Sequence, residues 1–172
     1  MTYGAPSIDI VIVNWNAGQQ LAECVRSVVA ADRNGLALLR AVVVDNGSTD
    51  GSLEALSTIS LPLSIVRNTR NRGFAAACNQ GAQGSTADYL LFLNPDTRLE
   101  RDSLVQPVTF LDQPQNSRVG ILGIQLLDAN GRVAQTCARF PTPGRILAQI
   151  LGLDRAFPRL FLPHFMVEWD HR

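Results

Sequence analysis

Apolar positions along this chain follow two alternating periods. Ile8 to Val13 is a short β-branched run, suited to a strand covered on both faces. Leu21, Cys24, Val25, Val28 and Val29 follow at helical spacing. Ala41 to Val44 predicts a second buried strand ending at Asp45. The NGSTDGS after it is turn chemistry, with Asp50 placed to cap a short helix through Ser57. Leu63 to Val66 predicts a third strand. Phe74, Ala77, Cys78, Gly81 and Ala82 repeat the helical stripe with small residues that admit close approach to a sheet. Tyr89 to Leu93 predicts the fourth strand. Leu104, Val105, Val108 and Leu111 predict another helix, which Pro107 must start late or kink. Val119 to Leu127 reads as a strand, and DANGR at 128–132 as a tight turn toward Val133.

Strand and helix in alternation predict an α/β fold: a mainly parallel central sheet, right-handed crossovers and flanking helices. The chain shows no internal repeat and no low-complexity linker. From Pro141 onward Pro, Arg and Leu mix without a clear strand, so the pattern divides into a core over 1–140 and a peripheral segment over 141–172. A chain of 172 residues suits one domain, large enough to bury roughly 70% of its unfolded surface.

Charge narrows the partners. Lys+Arg and Asp+Glu balance at 15 each, and the arginines are spread along the chain. No global field draws it to nucleic acid. The start, MTYGAPSIDIVIVNW, lacks the basic and long apolar segments of a signal peptide, and no apolar stretch has the length of a spanning helix. Cys24, Cys78 and Cys137 are odd in number and lack paired metal-ligand spacing. Cys24 and Cys78 fall on apolar helical faces, which predicts buried thiols and a cytoplasmic address. His164 and His171 are too isolated for a metal site.

Polar residues gather where strands end. The first strand runs into Asn14-Trp15-Asn16, the second into Asp45-Asn46-Gly47 and the fourth into Asn94-Pro95-Asp96. Ligands of open parallel sheets bind outside the carboxyl ends of the strands, so the three clusters define one candidate site. Trp15 offers a flat face for a base or sugar. Asp45 can accept from a ring N–H or from ribose hydroxyls. Asp96 can hold Mg²⁺ or Mn²⁺, with phosphate oxygens and water completing the shell. Each cluster alone also reads as ordinary turn chemistry; the three together point to a ligand. G-x-G-x-x-G after the first strand and G-x-x-x-x-G-K-[ST] anywhere are both missing, which argues against dinucleotide oxidoreductases and P-loop NTPases.

Four motifs, DIVIVNWNAGQQLAECVRSV, VVVDNGSTDGS, NRGFAAACNQGA and YLLFLNPDTRLE, resemble those of the family 2 glycosyltransferases. They look closest to the bacterial branch that includes rhamnosyltransferases of cell-surface polysaccharide synthesis. The resemblance covers residues 8 to about 135 and implies the GT-A fold, Rossmann-like and nucleotide-binding, in a possibly truncated form. It implies that Val13 and Trp15 line the base and that Asp45 binds it. Gly73 and Phe74 belong to the segment that closes over the nucleoside, with Asn79 on the helix behind. Asn94-Pro95-Asp96 matches the Asp-x-Asp motif, whose last carboxylate coordinates the cation on the diphosphate. Asn94 departs from that pattern, since an amide adds no charge.

The resemblance further implies an inverting transfer from a dTDP- or UDP-linked sugar to a saccharide or lipid-linked acceptor. Such a reaction needs a carboxylate base, expected beyond residue 172; Glu168 and Asp170 lack the family's context. The expected chain is therefore the donor-binding part of a longer enzyme. The rivals are a non-catalytic nucleotide-binding module and a sugar nucleotidyltransferase. The apolar tail with Arg145, Arg155 and Arg159 suits an anionic membrane surface at the inner face, or packing against an acceptor half. Left exposed, it would drive self-association into a homo-oligomer.

Overall fold

The computed structural model describes residues 4–134, 136–162, 164 and 166. Strands β1 (Ser7–Asn14), β2 (Ala37–Asp45), β3 (Leu63–Arg67) and β4 (Tyr89–Leu93) form one parallel sheet in the order β3-β2-β1-β4. Helices α1 (Gln19–Ala30), α2 (Phe74–Ala82) and α3 (Val105–Leu111) accompany the sheet. The α/β expectation holds, and each of the four strands lies where the apolar runs put it.

β1 shows how the centre of the sheet is buried on both sides. Ile8, Ile10 and Ile12 join Val43 and the α1 residues Leu21, Cys24, Val25 and Val28 in one apolar cluster, together with Leu104 and Val108. The alternate residues Val11 and Val13 join Val42, Val44 and the α2 residues Ala77 and Cys78 in another. Period-2 alternation therefore feeds two cores at once, which only a central strand can do. Cys24 and Cys78 are buried thiols, as expected.

α2 approaches the sheet at Gly81. A methyl group there would stand 2.4 Å from Val11 Cγ1 and 3.0 Å from Val44 Cγ2. Both neighbours are β-branched and buried, so they have few rotamers to move into. Gly81→Ala should lower stability by about 1–3 kcal/mol despite the better helix propensity of alanine. Chemical denaturation checks this; an unchanged or raised midpoint would contradict it.

A bulge between Ile8 and Asp9 sets Asp9 opposite Arg40. Asp9, almost wholly buried, accepts from Arg40 Nε at 2.8 Å and Ser85 Oγ at 2.7 Å. Arg40 Nη2 stands 2.7 Å from the same oxygen, a charge contact without hydrogen-bond geometry. The pair ties the segment after α2 to the amino end of the sheet, away from the strand ends.

Three expectations change. Val119 to Leu127 forms no strand: only Leu127 bridges Val133, antiparallel, across the DANGR turn. A strand exists only as part of a ladder, and no other described segment pairs with this one. Asp50 does not cap a helix: a 3₁₀ turn covers Glu54–Thr58 after Leu53, and the Asp50 carboxylate faces Gly18 and Ser52. The tail contains α4 (Pro143–Ile150), capped by Thr142 accepting from the Arg145 N–H, and α5 (Leu153–Ala156). Pro107 falls in the first turn of α3, where its missing N–H leaves no helical bond unmade.

The chain divides into two compact units, Met1–Leu122 and Gly123–Arg172. The sheet lies wholly in the first unit. In the second, Ile150 at the end of α4, Leu151 after it, and Phe157 and Leu160 after α5 are exposed. Among the described residues no helix is long and apolar enough to cross a membrane.

Candidate functional site

The strand order reverses at β1: β2 and β3 lie to one side and β4 to the other. Asn14 pairs in register with Asp45, and Asp45 with Arg67, while Leu93 stands beside Ile12. The carboxyl ends of all four strands thus open on one edge of the first unit. Such a reversal opens a crevice between neighbouring strand ends. Trp15 leaves β1 on one side of the switch point and Asn94-Pro95-Asp96 leaves β4 on the other.

The wall over β1 and β2 is held by a buried amide. Asn14 is fully buried, and its Nδ2 lies 2.8 Å from Asp45 Oδ1, 3.0 Å from Ser48 Oγ and 2.8 Å from Ser52 Oγ. The amide orientation follows from chemistry: a carboxylate has no proton to give, so only the NH₂ group can face Asp45. Ser48 Oγ donates to Asp45 Oδ1 at 2.5 Å, and the Ser48 N–H to Asp45 Oδ2 at 3.2 Å. Asp45 is 4% exposed, so its carboxylate is turned toward the 46–52 loop.

The same loop is clasped to the segment after β1. Ser48 Oγ accepts the Asn16 N–H, Asn16 Oδ1 accepts the Thr49 N–H, and Asp50 Oδ2 accepts the Gly18 N–H at 2.7 Å. Asn16 is left-handed at φ 52°, a conformation that asparagine tolerates better than bulkier residues. Trp15, 58% exposed, is therefore presented from a fixed backbone. The Ser52 hydroxyl first, then the Ser52 and Gly18 backbone N–H groups, hold the Asp50 carboxyl below its ordinary 3.8.

A group whose folded value is depressed contributes its full stabilisation above the unfolded value. That contribution fades as pH falls through the folded one. Asp50→Asn mimics the protonated acid. The parent should be more stable than this variant at neutral pH, and the two melting temperatures should converge once the pH drops below 3.8. A gap that stays constant into acid would count against the clasp.

A second network holds the approach to α2. Asn46, 2% exposed, accepts from Asn68 Nδ2 at 3.0 Å and from the Arg72 N–H at 3.5 Å, and its Nδ2 donates to the Gly73 carbonyl at 3.4 Å. Gly47 has φ 79°, and a side chain there would meet the Arg70 backbone at 3.1 Å. Gly73 and Phe74 are exposed at the start of α2, with the Phe74 ring 55% open to solvent. Asn79 is exposed on the same helix.

Beyond β4 the chain turns through Asn94-Pro95-Asp96-Thr97. The Asn94 carbonyl accepts the Thr97 N–H at 3.2 Å, Thr97 Oγ1–H at 2.7 Å and Cys24 Sγ–H at 3.5 Å. Burial first, and the Asp96 charge second, push the Cys24 thiol up to about 12, so it stays protonated as a donor. Asn94 and Asp96 are exposed, and the Asp96 carboxylate makes no hydrogen bond or ion pair among the described residues. No group of three or more His, Cys, Asp or Glu among the described residues could hold a metal. A single free carboxylate suits a cation whose remaining positions are filled by phosphate oxygens and water.

Of the residues expected at the site, Val13 is buried beneath the rim and Asp45 faces the loop. Trp15, Gly73, Phe74, Asn94 and Asp96 are open on the edge. Sequence reading placed Asn14 and Asn46 in the strand-end clusters but not as braces, and it missed Ser48, Ser52 and Asn68. The serines of NGSTDGS were the one available signal, being too many hydroxyls for a turn alone. Glu168, Asp170 and His171 lie outside the described residues.

The model of the glycosyl transferase family 2 matches residues 9–136. The chain belongs to that family. This family 2 chain is 30% identical over 117 residues to the PGL/p-HBAD biosynthesis glycosyltransferase of Mycobacterium bovis, covering 66% of itself and 44% of that protein. Among solved structures it resembles the mannosyltransferase PcManGT of Pyrobaculum calidifontis in complex with GDP-Man and Mn²⁺. The TM-score is 0.57 at 28% identity, over 66% of this chain and 34% of that one. TarS of S. aureus, solved with UDP-GlcNAc, shares the fold at a TM-score of 0.54 and 21% identity, over 62% of this chain and 31% of that one. The chain thus spans less than half the length of each.

Proposed function

We propose that this chain carries the donor site of an inverting sugar transferase that uses a nucleoside-diphosphate sugar and a divalent cation. The observation that carries the proposal is the Asp96 carboxylate, unpaired among the described residues, on the β4 turn across the switch point from Trp15. PcManGT, bound to GDP-Man and Mn²⁺ on a like fold, supports it. The Trp15 ring lines the base with Val13 buried beneath it, and Gly73 and Phe74 close over the nucleoside. Asp45 meets the base through Oδ2, whose partner in the structure is the Ser48 N–H at 3.2 Å. Asn94 offers an amide to a ribose hydroxyl or a metal-bound water.

Asp96 would hold Mg²⁺ or Mn²⁺ at the diphosphate. When bound, the cation stabilises the negative charge that collects on the departing nucleoside diphosphate, an effect worth several kcal/mol. The chain's own part is to fix that carboxylate, stack the base on Trp15 and hold the 46–52 loop through Asn14. No described residue is assigned as the base that takes the acceptor's proton. In this proposal residues 1–140 form the nucleotide-sugar core, and the acceptor is a saccharide or lipid-linked hydroxyl at the cytoplasmic face of a membrane.

Calorimetry against UDP, dTDP and GDP, each with Mn²⁺ and with chelator, checks the proposal. One nucleotide should bind, more tightly with the metal. Failure of all three to bind would overturn it. Transfer by this chain alone should be negligible; robust transfer would show that the base lies within it.

A further inference from the structure

Helix α1 turns one face toward the segment that carries Asp96. Glu23, Cys24 and Ser27 are neighbours on that face, within one helical turn of each other. Each meets a different point of residues 94–99. Cys24 Sγ–H donates to the Asn94 carbonyl at 3.5 Å, at the start of the turn. Ser27 Oγ accepts the Leu99 N–H at 2.9 Å, at its end. The Glu23 carboxylate pairs with the Arg98 guanidinium between them. The Ser27 hydroxyl hydrogen is already committed to the Cys24 carbonyl at 2.6 Å, which leaves the oxygen's lone pairs aimed at Leu99.

The helix behind these contacts does not move easily. Leu21, Val25 and Val28 of α1 are fully buried in the main apolar cluster. The turn itself has few internal bonds, those made by Thr97 to the Asn94 carbonyl. Without α1, the Asp96 carboxylate would ride on a short exposed loop.

We infer that Glu23, Cys24 and Ser27 are positioning residues that splint the Asn94–Leu99 segment and hold Asp96 at the rim before any ligand arrives. The inference rests on the nucleoside-diphosphate assignment of Asp96 made above. None of the three needs to touch the ligand. Their effect is felt where the protein supplies one carboxylate to a cation of demanding geometry, since displacement of that single ligand is not shared with others.

The test compares Ser27→Ala, Cys24→Ala and Cys24→Ser with the parent chain. Calorimetry uses UDP, dTDP and GDP, each with Mn²⁺ and with chelator. Loss of one such hydrogen bond corresponds to about three- to ten-fold in affinity. Ser27→Ala and Cys24→Ala should weaken Mn²⁺-loaded binding by that factor and leave chelator binding within about two-fold. Cys24→Ser keeps a donor and should retain the parent's affinity. Equal losses with and without metal would mean general loosening and would overturn the inference.

Amide hydrogen exchange on the ligand-free protein separates this inference from the donor-site proposal. In Ser27→Ala the Leu99 amide should exchange about ten-fold faster or more, with the β1 amides unchanged. If the parent binds none of the three nucleotides, the donor-site proposal falls, and exchange still decides whether α1 holds the turn. An unchanged Leu99 amide would overturn the splint.

Discussion

Asp96→Ala should abolish the metal-dependent part of nucleoside-diphosphate binding while leaving the fold intact. The carboxylate is exposed and makes no bond to the described protein, so its removal exposes no buried partner. Substitutions at such positions shift stability by no more than about 0.5 kcal/mol. Under the proposed assignment the cation, by contrast, would lose its one protein carboxylate. We expect a loss of about 100-fold in Mn²⁺-dependent affinity, close to 2.8 kcal/mol, and chelator binding equal to the parent's. Asp96→Asn should fall between, because an amide oxygen can still coordinate but carries no charge. Equal Mn²⁺-dependent affinity in Asp96→Ala and parent would remove the metal assignment.

The other large effect is expected at a residue that touches no ligand. Asn14→Asp replaces the NH₂ group 2.8 Å from Asp45 Oδ1 with an oxygen, in a side chain with no exposure. Two carboxylates at that distance cannot both ionise, so one must be held protonated. Raising one carboxyl by about three units corresponds to about 4 kcal/mol at neutral pH. Ser48 and Ser52 also lose their shared donor, so the 46–52 loop should loosen and nucleotide affinity fall with it.

The sign with pH is diagnostic. A carboxyl raised in the folded state costs nothing below its unfolded value, and the penalty grows as pH rises toward the folded one. Denaturation midpoints of Asn14→Asp and parent should therefore lie closest in mild acid and farthest apart near neutrality. A gap independent of pH would show that the loss comes from packing and not from charge.

The strands were legible because β1, β4 and the end of β2 are written as continuous apolar runs, and the central pair, β1 and β2, is buried on both faces where those runs lie. The helices at 19–30 and 74–82 were legible from their spacing and small residues. What escaped was everything that depends on a distant partner. Val119 to Leu127 has the composition of a strand, but composition cannot supply the neighbour a ladder requires. Asp50 carries a capping residue's chemistry, yet its partner is the Gly18 N–H, 32 residues earlier. Asn14 reads as the last residue of a strand; that it braces Ser52, 38 residues on, follows only from the register of β1 beside β2. In the tail, Thr142-Pro143 was a legible helix start, hidden among prolines that argue against regular structure.

The shared edge of the candidate site was legible in outline from the strand pattern. Strand ends in a parallel sheet share an edge by construction, so Trp15, Asp45 and Asp96 were bound to be near one rim. The direction of each side chain was not bound in that way. Asp45, expected at the base, is largely occupied by Asn14 and Ser48, and the open carboxylate at the rim is Asp96.

Anomalous diffraction from crystals of this chain grown with Mn²⁺ and a nucleoside diphosphate would place the metal and the base together. The manganese peak should stand in coordination contact with the Asp96 carboxylate and the diphosphate, with the base against Trp15. A nucleotide seated elsewhere, or a metal peak away from Asp96, would contradict the assignment of this edge as the donor site.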